Sequence, residues 1–194
     1  MTDQLTAVLP DLATRCPAED PARPEQAPDQ AKYQVRFDHG VAGARRIAPG
    51  AHVVVVADAL DGHGTLSSAD LLARVAAIAD DGADVVLAAS GSGSGSGSDS
   101  EAIARLVLER QAARGDRAFV AVVAAGAVDL VDGGEHFRPA VEDQLVAGSV
   151  VEALAAAGVD SSSPEAALVC AATVSLRGAV SHLTRASSSA VQLR

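Results

Sequence analysis

The sequence predicts an α/β protein in which helices are layered on a largely parallel sheet. Two observations carry this expectation. Short valine-rich runs at 53–56, 84–89 and 119–124 read as buried strands, and segments with apolar residues at helical spacing stand between them. That alternation supplies the helical crossovers that parallel neighbours require. The chain has 194 residues, 48% of them hydrophobic and 21% charged, and five of its eight prolines fall within the first 28 positions. Residues 1–31 therefore read as a Pro-rich disordered leader and 32–194 as one α/β domain, large enough to bury about two-thirds of its unfolded surface.

The elements follow in order. Tyr33-Gln34-Val35-Arg36-Phe37-Asp38 alternates apolar and polar as a half-buried first or edge strand does, and His39-Gly40 ends it. Four consecutive valines, Val53 to Val56, mark the centre of the sheet. Leu71, Leu72, Val75, Ile78 and Ala79 then recur at helical spacing within 66–81, with Asp81-Gly82 as a stop. Asp84 to Ala89 and Phe119 to Ala124 read as a second and a third buried strand. A crossover helix over 101–114 joins them, with Ser98 and Glu101 as a capping box. A helix over about 139–157 places Val141, Leu145, Gly148, Val151 and Leu154 on one stripe and stops at Gly158. The last helix starts at Ser163-Pro164-Glu165 and carries Arg177 and Arg185 toward its end.

Composition excludes several classes of function. Four aromatic residues and no Trp leave little with which to stack on bases, and 25 acidic against 15 basic residues give a formal charge of −10 that repels polyanions. No nucleic-acid partner and no anionic membrane is expected, although a small anion can still bind locally. Two cysteines, Cys16 and Cys170, make no disulfide framework, and residues 1–30 carry Asp, Glu and Pro where a signal peptide needs a basic start and an apolar run. A cytoplasmic setting is the expectation, and the Ala-rich surface leaves room for a helix-mediated homodimer.

Candidate chemistry gathers at strand ends, where ligands bind in open α/β sheets. Asp58 directly follows the valine strand and is the best-placed acid; in the run Asp58 to Thr65 it also reads as a turn or capping residue. His63, between two glycines, is a proton or metal candidate or a solvated loop residue. Glu142 and Asp143 in a first helical turn stabilise the helix dipole or, as adjacent carboxylates, suit Mg²⁺. Gly126 allows a tight turn or close approach of a ligand. Arg36 and Arg138 are candidate anion partners, and Cys170 reads as a small packing residue. The Gly-Ser repeat at 90–98 reads as a flexible connection or a mobile anion loop.

Three blocks together, Tyr33-Gln34-Val35-Arg36-Phe37-Asp38-His39-Gly40, Val53-Val54-Val55-Val56-Ala57-Asp58-Ala59-Leu60 and Ala140-Val141-Glu142-Asp143-Gln144-Leu145-Val146-Ala147-Gly148, resemble the 2-phosphosulfolactate phosphatase (ComB-like) family. The resemblance implies a three-layer α/β/α fold with a largely parallel or mixed central sheet. It also implies a Mg²⁺-dependent hydrolase that releases phosphate from a small phosphorylated acid such as 2-phosphosulfolactate, in coenzyme M biosynthesis. Asp58, Glu142 and Asp143 match the family's acidic positions and would hold metal or water. Thr65 matches a hydroxyl in the first loop and Gly126 a glycine turn, and loop amides near Gly62, Gly64 and Gly91 would bind phosphate. The alternative is a ComB-like binding or structural protein without turnover, because Asp61-Gly62-His63-Gly64 brings no arginine or hydroxyl to a phosphate and the Gly-Ser repeat stands where an Asn loop is expected.

Overall fold

The computed structural model describes residues 30–61, 67–89 and 97–193. The leader expected at 1–31 therefore falls outside the described residues except for its last two positions, as do Gly62, His63, Gly64, Thr65 and Gly91.

Strands β1 (Val35–His39), β2 (Val53–Ala57), β3 (Asp84–Ala88) and β4 (Val120–Ala124) form a parallel sheet in the order β1-β4-β2-β3. Helices α1 (Gly40–Ile47), α2 (Ser68–Ala76) and α3 (Gly97–Arg114) are the crossovers. Beyond β4 come β5 (Ala127–Val131) and β6 (Gly134–Arg138), an antiparallel hairpin outside the main sheet. Helices α4 (Val141–Ala156), α5 (Pro164–Leu176), α6 (Val180–Ala186) and α7 (Ser188–Gln192) follow.

The period of two along each strand divides the core. Val53, Val55, Val120 and Val122 face α3, α4 and α5 through Val107, Val150, Leu154 and Val169, while Val54, Val56, Ala121 and Val123 face α1 and α2 through Ile47, Leu71 and Val75. Both β2 and β4 are buried on both faces, which is why their sequences are continuous apolar runs rather than alternating ones. The α4–α5 contact depends on Gly148, where a Cβ would collide with the Thr173 hydroxyl and the Val169 carbonyl.

Four expectations need correction. The run 84–88 is not a buried strand: it forms the sheet edge and is half-buried, because β4 inserts between β1 and β2 instead of extending past β3. α3 begins at Gly97, so Ser98, expected just before the helix, stands within its first turn. The helix that Ser163 caps, through its hydroxyl to Ala166 N at 3.1 Å, ends at Leu176; a 3₁₀ turn at Arg177–Ala179 separates it from α6 and α7. Neither α1 nor the hairpin was read from the sequence, where His39-Gly40 simply ended a strand.

Candidate functional site

The site is built at the carboxyl edge of the parallel sheet. Asp143, in the first turn of α4, is fully buried and joins two strand ends: one carboxylate oxygen accepts from Ala59 N just beyond β2, the other from Gly126 N just beyond β4, each at 2.8 Å. Burial pushes its carboxyl from an ordinary 3.8 up to about 7, with the Asp58 and Glu142 charges adding to the rise and the two backbone donors opposing it.

Glu142 is 1% exposed, and neither of its carboxylate oxygens has a hydrogen-bond partner. Desolvating a carboxylate without compensation is costly, so this pair of oxygens is the least satisfied acidic group among the described residues; neither Glu142 nor Asp143 lines the cavity described next, which Asp58 does. Asp58 is also buried; its Oδ2 accepts from the Ser68 hydroxyl at 2.6 Å and its Oδ1 from Leu60 N at 3.3 Å. The turn role expected of it is present in the bond to Leu60 N, and its carboxylate also lines a cavity.

That cavity, of about 440 Å³, has Asp38, His39, Asp58, Arg46, Arg74 and Phe137 in its walls, and the first residues of α1 close one side. Asp38 takes a bidentate pair from Arg46, at 2.8 and 2.9 Å, which holds a cationic group beside the opening. Arg74 brings a second guanidinium from α2, and the free N–H groups at the start of α1 add partial positive charge. Burial lowers the His39 pKa; Asp38 opposes that shift and Arg46 reinforces it. Its Nδ1 is buried without a partner. A larger cavity of about 620 Å³ lies on the flank of α3, α4 and α6 and contains none of these acids.

Gly126 performs the turn expected of it. Its φ of +66° suits glycine, and a Cβ would strike the Phe137 ring, so the hairpin closes over the strand end only because this position has no side chain. The arginines expected at the site are elsewhere. All the hydrogen bonds of Arg36 go to carbonyls, those of Tyr33, Ala31, Ile47 and Pro49, which makes it a clamp on the end of α1. Arg138 pairs with Asp129 within the hairpin and reaches Gln192. Cys170 is a half-buried free thiol whose pKa burial raises, in keeping with a packing role.

Asp38, His39, Arg46, Arg74 and Phe137 were not foreseen as site residues. The spacing of Gly40, Ala44 and Ile47 is helical and sets Arg46 about two turns beyond the strand end, but over eight residues it is too brief to mark a helix in the sequence. Among the described residues no group of three His, Cys, Asp or Glu side chains is placed to hold a metal ion. The acids nevertheless fit Mg²⁺ in a reduced way, since this ion often binds through one or two carboxylates and completes its shell with water and substrate oxygens; the unpartnered oxygens of Glu142 are the fitting donors.

No protein-family model matches the chain, and a search of curated proteins finds no relative.

Proposed function

We propose that the chain is a Mg²⁺-dependent phosphatase acting on a small phosphorylated acid such as 2-phosphosulfolactate, on a three-layer ComB-like α/β/α fold. The observation that carries the reading is the buried, unpartnered Glu142 carboxylate beside the raised carboxyl of Asp143, at the strand ends where α/β proteins bind ligands. Glu142 would hold the ion, with Asp58 as a second donor, and bound Mg²⁺ would neutralise charge on the phosphoryl oxygens. Asp143 is a positioning residue: it fixes the loops after β2 and β4.

In the reaction, a water oxygen would attack phosphorus and the bond from phosphorus to the ester oxygen would break; the proton lost by the water would pass to solvent, and the departing alkoxide would take one proton from solvent to leave as the alcohol. Asp58, held by Ser68 and Leu60, would orient the water beside the ion. Arg74 and the α1 amides would offer donors to the anionic substrate, and the amides near Gly62, Gly64 and Gly91 would add further phosphate contacts. The test is phosphate release from a panel of small phosphoesters, including 2-phosphosulfolactate and phospholactate, with Mg²⁺ or EDTA. Mg²⁺-dependent release that is lost in Asp58→Asn supports the reading, and no release from any ester by folded protein overturns it.

A second reading has its own support. With both Asp143 oxygens taken by backbone donors and no three-carboxylate cage among the described residues, a binding protein that retains the fold without turnover also fits. A phosphorylated acid that raises Tm while no phosphate appears would establish it.

A further inference from the structure

We propose that the C-terminal helical arm, Pro164–Gln192, is a homodimer interface in which α5 packs antiparallel against α5 of a second copy. The proposal does not rest on the phosphatase reading. Only 17% of the arm's most apolar 18-residue stretch is buried. α5 is apolar nearly all round, yet only Ala166, Val169 and Thr173 are buried against the rest of the chain. Leu168, on its outer side, is 73% exposed, the highest value for any large apolar side chain among the described residues. Helices that are hydrophobic on every side belong in an interior.

Size and charge both point to a second copy as the occupant. The arm is 29 residues long; Ala166, Val169, Thr173, Ser187 and Ser189 are buried against its own chain, and the remaining 24 compare with one side of a standard protein interface at about 20–30 residues. It carries one acid, Glu165, and two arginines, Arg177 and Arg185, in a chain of net charge −10, so it is a surface on which two such chains can meet without strong repulsion. Pairing α5 antiparallel about Ala171 puts Leu168 level with Val174 of the second copy. It also puts Glu165 level with Arg177 of the second copy, although Arg177 already pairs with Glu152. A parallel pairing would instead set Glu165 beside Glu165. The small side chains of Ala167, Ala171 and Ala172 let the backbones approach closely, and the two-fold arrangement closes on itself. A membrane is a poorer occupant: the 13 residues of α5 rise only about 20 Å against about 30 Å of hydrocarbon, and the 3₁₀ turn interrupts the helix beyond them.

Light scattering and sedimentation of the full chain test this. The expected result is a dimer at micromolar concentration whose dissociation constant rises about 100-fold in Leu168→Glu, with helix content unchanged. Leu130→Glu, at an exposed position on β5, should leave the dimer intact. In a chain carrying Cys16→Ser and Cys170→Ser, Ala171→Cys should cross-link two copies on mild oxidation; this second variant decides the matter if Leu168→Glu fails to fold. A monomer at about 100 μM overturns the proposal. So does a dimer that survives Leu168→Glu without an Ala171→Cys cross-link, or a monomer that floats with phosphatidylcholine vesicles.

Discussion

Asp143 commits both carboxylate oxygens to backbone donors, whereas its neighbour Glu142, equally buried, commits neither. The two should therefore respond oppositely to neutralisation. Glu142→Gln replaces a buried, unpartnered carboxyl group by a neutral amide of the same shape, so in metal-free buffer the free energy of unfolding in urea should hold or rise; a fall of more than about 1 kcal/mol would show that the carboxyl group has a partner. Asp143→Ala leaves the amides of Ala59 and Gly126 without their acceptor and should cost about 3 kcal/mol in the same assay. The pH dependence has a definite sign. Because the folded-state pKa is raised to about 7 from 3.8, the folded chain holds a proton that the unfolded chain releases. The contribution of Asp143 to stability is full below about pH 4, declines as pH rises toward 7 and is flat above. A stability profile whose slope between those values is as steep in Asp143→Asn as in wild type would contradict this assignment.

At the scale of elements, Gly148 is the most constrained contact. Gly148→Ala forces a methyl into the Thr173 hydroxyl and the Val169 carbonyl, and should lower stability by about 1–3 kcal/mol in chemical denaturation; an effect near zero would mean that α4 and α5 separate easily. The same scale shows what was legible in the sequence. β2 and β4 were, since a strand buried on both faces is a continuous apolar run, and so was the start of α5, where the Ser163 cap and Pro164 mark it chemically. The hairpin was not, although its turn carries a signal: Asp132 and Gly133 both have positive φ, at +51° and +79°, which fits a type I′ connection. α1 is only eight residues long, too short for a periodic pattern to stand out. The break after α5 follows from Arg177-Gly178, read in the sequence only as helix-ending charge.

For the whole molecule, the α/β class and the parallel sheet were legible, but the order β1-β4-β2-β3 was not, because the sequence marks where α3 begins and ends and not which strand it passes over. The site was half legible for the same reason. Asp58, Glu142, Asp143 and Gly126 stand at strand ends or at a helix start. Asp38 and His39 at the end of β1, Arg46 on α1 and Arg74 on α2 line one cavity only once β1, β4 and β2 stand side by side. The central claim, that this edge of the sheet binds Mg²⁺ and hydrolyses a small phosphoester through Glu142, is tested most directly by phosphate release from 2-phosphosulfolactate, comparing wild type and Glu142→Gln with Mg²⁺ and with EDTA. The account predicts release by wild type that EDTA abolishes and that Glu142→Gln lowers by about 100-fold or more while the protein stays folded. Release that is indifferent to EDTA, or equal in the variant, would contradict it.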